Sequence, residues 1–272
     1  MAAEGLDAEL AERFGSRREA AWVLAELAGL DPDERRRRAL ELADRRRDGE
    51  PLQYLLGHWP FRSLDLVVDA RALIPRPETE QLVGLALDEL ARREGPQVVC
   101  DLGCGTGAIA LSLALESTQG RVEVHASDVS VDALELARLN AGRLGASVQL
   151  HHGAWFAALP HELRGRLDVV CANPPYVSSA ERATLARELD FEPEVALVAE
   201  AGTLGTPGFG AVEAVLTGAA EWLAPDGVVL VEHGSTHREA VLDCARRAGL
   251  VAAVDHDDLA GLPRVLTARR AR

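Results

Sequence analysis

The chain has 272 residues, of which 47% are hydrophobic and 26% charged, so it carries enough apolar surface to exclude disorder as its main state. Its 29 basic and 43 acidic residues leave a net charge of -14, which opposes long-range attraction to nucleic acid phosphates. No apolar run approaches the ~18 residues a membrane span needs, and Met1-Ala2-Ala3-Glu4 lacks the basic start of a signal peptide, so the expected compartment is the cytoplasm.

Every basic residue is Arg, which fits codon bias together with the high Ala content. The four cysteines, Cys100, Cys104, Cys171 and Cys244, form no C-x-x-C pair and read as free thiols. His151-His152 comes without the spacing of a helical metal site, and no metal is expected.

Residues 1 to about 50 read as helices only. Ser16 with Glu19 predicts a capping box, followed by Ala20, Val23, Leu24 and Leu27 at helical spacing, with Gly29 as the stop. Asp31-Pro32 opens the next helix, which carries Arg35 to Arg38 and Arg45 to Arg47. Those runs read first as a solvated face and second as a docking face for an acidic or RNA-bound partner. Too small for a robust core of its own, this segment is expected to pack as a helical domain, residues 1–57, on the rest of the chain. Residues 58–76, with Pro60, Pro75 and a strand-like Leu64 to Val68, read as a hairpin connector. Pro77 then opens a helix with Leu82, Val83, Ala86, Leu87 and Leu90 on one face and Glu78 and Glu80 in its first turn.

From residue 97 strands and helices alternate. Strands are expected at 98–102, 122–127, 147–151, 167–172, 227–232, 251–255 and 264–268, and helices at 106–116, 130–141, 208–223 and 236–248. That alternation predicts an α/β fold, a mainly parallel sheet covered by helices on both faces, over 77–272. The short link between the last two strands predicts an antiparallel pair.

The first of these strands ends in Asp101-Leu102-Gly103-Cys104-Gly105-Thr106-Gly107. Glycines there let the backbone turn tightly and approach a ligand, at the strand ends where open α/β sheets bind them. Residues 103–108 also satisfy G-x-G-x-x-A, and the next strand ends at Asp128, about 20 residues on. A carboxylate there accepts hydrogen bonds from ribose hydroxyls, although Asp128 alone also suits a helix N-cap. Loop and acid together indicate an adenosine-containing cofactor without separating a nicotinamide from S-adenosylmethionine.

Asn173-Pro174-Pro175-Tyr176 follows the apolar run 167–171 and so falls on the same sheet edge. Two prolines fix the backbone and remove two donors, leaving the Asn173 side-chain oxygen and the Pro174 carbonyl as acceptors beside a flat Tyr176 wall. Two acceptors suit a planar NH2 group whose delocalised lone pair makes it a poor nucleophile. They bind its two hydrogens, aim the nitrogen at an electrophilic methyl and stabilise the charge that develops.

With these motifs, and with Pro51 to Gly57, Leu73 to Glu80, Ala154-Trp155-Phe156 and Asp190-Phe191-Glu192-Pro193, nearly the whole chain resembles the release-factor glutamine N5-methyltransferases among the class I methyltransferases. The resemblance implies a Rossmann-like seven-stranded mainly parallel sheet with a small N-terminal helical domain, and S-adenosyl-L-methionine as cofactor without a metal. Gly103, Cys104, Gly105, Thr106 and Gly107 would cradle its methionine end, Asp128 its ribose and Trp155 its adenine, with Asn173 near the methyl donor. Asn173, Pro174, Pro175 and Tyr176 would bind the amide of the glutamine in the Gly-Gly-Gln motif of peptide chain release factors, with the N-terminal helices recognising that partner. The Pro75 to Glu80 segment would pack beside the cofactor. A cytoplasmic monomer with no membrane or direct nucleic acid contact is expected. Three departures stand out: Ala154 where relatives often carry an acid, the stretch 200–210, and Glu232-His233-Gly234 in place of Glu-Ile-Gly. Two other readings share the tetrad or the fold: a nucleic-acid adenine N6 or exocyclic-amine methyltransferase, and a scaffold that has lost turnover.

Overall fold

The computed structural model describes residues 2–117 and 122–272; Met1, where the expected helical domain begins, lies outside them. The chain starts with α1 (Ala2–Phe14), α2 (Arg17–Glu26), α3 (Pro32–Arg47) and the short α4 (Leu52–Leu56). Their apolar stripes close on one another around Leu10, Val23, Ala39 and Ala43, with Leu52 and Leu55 completing a core separate from that of the sheet.

Only half of the expected capping box forms. Ser16 Oγ accepts from the Glu19 amide at 3.2 Å, but the Glu19 carboxylate turns away to Arg46 Nε at 2.8 Å. A charge-assisted bond outweighs a neutral amide donor. Gly29 sits not at a helix end but in a 3-10 turn, Leu27–Gly29, that prolongs α2. Asp31 caps α3 as expected, accepting from the Asp33 and Glu34 amides, with Pro32 in the first turn. The arginine runs are held within the protein: Arg36 by Glu9 at 2.7 Å, Arg38 by Glu41 at 3.0 Å, Arg45 by Glu50 at 2.6 Å and Arg47 by Asp44 at 3.1 Å. Arg37 pairs with Glu34, and Arg35 donates to the Leu24 carbonyl at 2.8 Å. This is the solvated, ion-paired face of the first reading.

An antiparallel hairpin follows, β1 (His58–Phe61) with β2 (Leu64–Val67). Phe61, Leu64, Leu66 and Val68 insert into the main core, so the hairpin is built onto the sheet domain. Asn140 secures it: its side chain exchanges two hydrogen bonds with the Val67 backbone, at 2.8 and 3.0 Å, and donates to the Thr106 carbonyl at 3.0 Å.

Next come α5 (Pro77–Ala91), β3 (Gln97–Leu102), α6 (Ala108–Glu116), β4 (Val122–Asp128), α7 (Val131–Leu144), β5 (Gln149–His152) and β6 (Leu167–Ala172). Short helices α8 (Ser179–Arg182) and α9 (Glu194–Leu197) precede α10 (Gly210–Trp222), β7 (Leu223–Glu232), α11 (Arg238–Arg247), β8 (Leu250–Asp257) and β9 (Pro263–Arg270). The seven strands β3 to β9 form one sheet in the order β5-β4-β3-β6-β7-β9-β8. Its pairings are parallel except those of β9, which runs antiparallel to β7 and β8, as expected. Central strands read as continuous apolar runs because helices bury both faces; Val169, Val170, Cys171 and Ala172 are all 0% exposed.

The strand order sets the position of the site. From β3 the chain steps outward to β4 and β5, then returns to the other flank of β3 as β6. Leu102 and Ala172 pair across β3 and β6, so the segments after them emerge side by side at the carboxyl edge. Such a reversal opens the crevice where α/β sheets hold ligands.

Candidate active site

The glycine loop leaves β3 and enters α6. Gly103 has φ +75°, and a Cβ there would stand 3.3 Å from the Trp155 ring; Gly107, the N-cap of α6, has φ +84° and would meet Leu111 at 3.1 Å. These two positions require glycine both for the backbone angle and for the space. The Gly103 and Cys104 amides both donate to the Ser127 carbonyl, at 2.8 and 2.9 Å, which ties the loop to β4. Asp128 completes the tie: one oxygen accepts from the Gly105 amide and the other from the Ser130 amide, each at 2.9 Å. Ser130, not Asp128, caps α7, so the N-cap alternative for the acid is corrected. Beneath the loop lies fully buried Asp101, one oxygen accepting from the Ala110 amide at 3.1 Å. Burial pushes its carboxyl up to about 7.

A cavity of about 460 Å3 opens over this loop, lined among others by Gly103, Cys104, Gly105, Thr106, Asp128, Ala154, Trp155 and Asn173. The size suits a small-molecule ligand. Gly107 supports the loop from behind and is not part of the lining. Trp155, held at φ +48° and anchored by Ser127 Oγ donating to its carbonyl at 3.3 Å, packs its ring against Gly103.

The tetrad leaves β6 one strand away. Asn173 Nδ2 donates to Thr79 Oγ1 at 3.0 Å, and Thr79 Oγ1 donates to Glu232 Oε2 at 2.7 Å. The Tyr176 hydroxyl donates to Glu232 Oε1 at 3.2 Å. Burial pushes the Glu232 carboxyl up to about 7, against the lowering pull of Thr79, Arg264 and Tyr176. Among the described residues nothing donates to Asn173 Oδ1 or to the Pro174 carbonyl, which leaves both expected acceptors free.

The backbone beyond the tetrad is fixed from two sides. Val177 forms a parallel bridge with Val198. Gly208, at φ +68°, lies so close that a Cβ would fall 2.4 Å from the Tyr176 carbonyl. The unusual stretch 200–210 therefore backs the tetrad directly, and Glu213 of α10 staples it by accepting from the Thr203 amide at 2.6 Å. In the third departure, His233 is fully buried and bonded to Asp255 at 3.0 Å, so its polarity is satisfied within the core.

A second cavity, about 380 Å3, opens on the other side of the tetrad, with Asn173 to Tyr176 along one wall and Pro51, Gln53, Leu189 and Glu192 along others. The two cavities share Leu73, Ile74, Arg76, Asn173, Pro175 and Ala196. Buried Glu192 accepts from the Ile74 amide at 3.0 Å and pairs with Arg76, holding the shared wall in place.

The structure thus brings Gly103 to Thr106, Asp128, Trp155 and the tetrad around one pair of joined cavities. Sequence reasoning placed Thr79 only within the Pro75 to Glu80 segment expected beside the cofactor, and missed Glu232 and Glu192 as members of the site. Thr79 had a readable signal, since it lies on the apolar stripe of α5 with Leu82, Val83 and Ala86 and is itself 4% exposed. Glu232 ends an inner strand at the ligand edge, as Asp128 does. All four cysteines are free and buried, and burial pushes the thiols of Cys100, Cys104 and Cys171 well up, which removes them as nucleophiles. Among the described residues no group of three or more His, Cys, Asp or Glu is arranged to hold a metal, and no helix is long and apolar enough to cross a membrane.

A family model described as the methyltransferase small domain matches residues 83–204. A release factor glutamine methyltransferase of Bordetella pertussis is 41% identical over 250 residues, spanning 91% of this chain and 88% of that protein. One from Neisseria gonorrhoeae is 40% identical over 235 residues, spanning 86% and 82%. Among solved structures, a methyltransferase from Pyrococcus furiosus has a TM-score of 0.56 at 17% identity over 78% of this chain and 91% of that one, a likeness of fold.

Proposed function

The chain belongs to the family of release factor glutamine methyltransferases, and from that premise we propose that it methylates the side-chain amide nitrogen (N5) of the glutamine in the Gly-Gly-Gln motif of peptide chain release factors, modulating translation termination. The observation that carries this reading is the meeting of two cavities at Asn173 and Pro175, with the Asn173 Oδ1 and Pro174 carbonyl free to accept.

The larger cavity fits S-adenosyl-L-methionine, which when bound supplies an electrophilic methyl group on a sulfonium. Gly103, Cys104, Gly105 and Thr106 form the cradle for its methionine end, with Gly107 supporting the loop from behind and with space that a Cβ at Gly103 would take away. Asp128 keeps lone pairs for the ribose hydroxyls after its two backbone bonds. Trp155 offers its face to the adenine.

The smaller cavity takes the substrate glutamine. Asn173 Oδ1 and the Pro174 carbonyl accept its two amide hydrogens, while Pro175 and Tyr176 wall the group in. A carboxamide nitrogen is a weak nucleophile, so the gain comes from aiming it and from stabilising the positive charge that grows on it. Positioning of this kind supplies up to ~7–11 kcal/mol of the barrier. The amide proton, made acidic by methylation, then leaves to water.

The helices of residues 1–57 serve as the domain that recognises the release factor, the hairpin of 58–76 connects, and 77–272 is the methyltransferase domain. The enzyme works as a cytoplasmic monomer without a metal. Incubation with labelled S-adenosylmethionine and a purified release factor, followed by peptide mass spectrometry, tests the reading. One added methyl group on the Gly-Gly-Gln glutamine is expected; label on duplex DNA or transfer RNA but not on the protein would overturn it.

A further inference from the structure

We propose that Glu232 and Thr79 are positioning residues: together they fix which way round the Asn173 carboxamide sits, so that its oxygen and not its nitrogen meets the substrate. The inference rests on the reading of Asn173 as the acceptor for the substrate amide.

The two ends of a carboxamide have nearly the same shape, and hydrogen bonding decides which end faces where. Rotated by half a turn, Asn173 would present two N–H donors to an NH2 substrate that is itself a donor. The Thr79 hydroxyl prevents this. Its single hydrogen goes to Glu232 Oε2 at 2.7 Å, so toward Asn173 it has only lone pairs to offer. Asn173 therefore turns Nδ2 to Thr79, at 3.0 Å, and Oδ1 to the junction of the cavities. An ionised carboxylate accepts and cannot donate, so Glu232 sets the direction of the whole chain. Its other oxygen takes the Tyr176 hydroxyl at 3.2 Å, which orients a second member of the tetrad.

The chain is shielded from water at its inner end, where Glu232 is 1% exposed and Thr79 4% exposed, and it opens to the cavities at Asn173. It also spans three elements, the first turn of α5, the segment after β6 and the end of β7, which makes it a tertiary feature rather than a local turn. A protonated Glu232 reverses the argument. Its own hydrogen then goes to Thr79, the Thr79 hydrogen swings to Asn173, and Oδ1 is drawn away from the substrate. The charged and titratable groups facing Glu232 are Arg264 of β9, which favours its ionised form, Glu78 of α5, which opposes it, and the Tyr176 hydroxyl. With burial pushing the carboxyl up to about 7, this switch falls near neutral pH.

The test is kcat and KM against pH for wild type, Thr79→Val, Thr79→Ser and Glu232→Gln, with a purified release factor as substrate. Thr79→Val keeps the shape and removes the hydroxyl. Its kcat is expected to fall on the order of 100-fold, the scale of a misplaced catalytic group, with KM and the cofactor Kd within about threefold of wild type. Thr79→Ser is expected to retain kcat within about threefold. Wild-type kcat should fall as pH drops below about 7, and both Thr79→Val and Glu232→Gln should lack that limb. Full kcat with an unchanged pH limb in Thr79→Val would overturn the proposal, as would Thr79→Ser behaving no better than Thr79→Val. Asn173→Ala separates the two layers. Normal turnover in that variant would remove the reading of Asn173 itself, whereas a dead Asn173→Ala beside a fully active Thr79→Val would remove only the role given to Thr79 and Glu232. A measurement without turnover completes the test: the side-chain amide of Asn173, followed by nitrogen-15 NMR, should titrate with Glu232 in wild type and not in Thr79→Val, and an identical titration in both would overturn the proposal.

Discussion

Arg46, at the end of α3, reaches across to Glu188 at 2.7 Å while its Nε holds Glu19 of α2 at 2.8 Å. One guanidinium thus joins the helical domain to the 3-10 turn Arg187–Phe191, which walls the second cavity. The fit is close: a Cβ at Gly49 would lie 3.4 Å from the Phe191 ring. Arg46→Ala is expected to raise KM for the release factor roughly fivefold, since half-exposed Glu188 limits the pair to about 1 kcal/mol. Steady-state kinetics and cofactor titration check this, and a weakened cofactor Kd with an unchanged KM would count against the assigned path.

Asp128 uses both oxygens to hold the glycine loop and α7 in register, and the same carboxylate faces the larger cavity. Asp128→Ala is expected to weaken binding of S-adenosylhomocysteine by about 10- to 100-fold, the loss of one or two hydrogen bonds to a charged acceptor. Asp128→Asn, which keeps one acceptor oxygen, should fall between. Isothermal titration settles the order of the three proteins; an unaffected Kd in Asp128→Ala would exclude the ribose contact.

Asp101 makes stability depend on pH in the direction opposite to most acids. Burial, with the charge of Asp128 adding to it and the Ala110 amide partly opposing, raises its carboxyl from the usual range to about 7. The folded state therefore holds a proton there that the unfolded chain gives up near pH ~3.9. The contribution is full below about pH 4, is lost as pH rises toward about 7, and is flat above, amounting to no more than about 4 kcal/mol. Asp101→Asn should remove that slope. Urea unfolding of both proteins near about pH 5 and about pH 8 measures the difference, and parallel profiles would refute the assignment.

Much of the fold was legible because the central strands are apolar runs and the helices carry clear stripes, so Leu167 to Ala172 and Leu82 to Leu90 read correctly from spacing alone. The glycine loop, Asp128 and the tetrad were legible because each falls at a strand end. What the sequence hid is pairing at a distance. Thr79 and Glu232 are 153 positions apart, and only the folded sheet makes them partners. Glu19 reads as half of a local box until Arg46, 27 positions away, outbids the amide. Strand β7 also begins at Leu223 rather than 227, because a register irregularity opposite Leu167 to Val169 lets pairing start before the apolar run does.

Asn140 clasps both the hairpin at Val67 and the carbonyl of Thr106 in the glycine loop, and Ala72 to Ile74 just beyond the hairpin form part of the wall of the larger cavity. The piece between the two folded bodies is therefore structural masonry and not a tether. Any exchange of the N-terminal helices between relatives has to be spliced ahead of His58, since a graft made after Arg76 would carry away one side of the larger cavity.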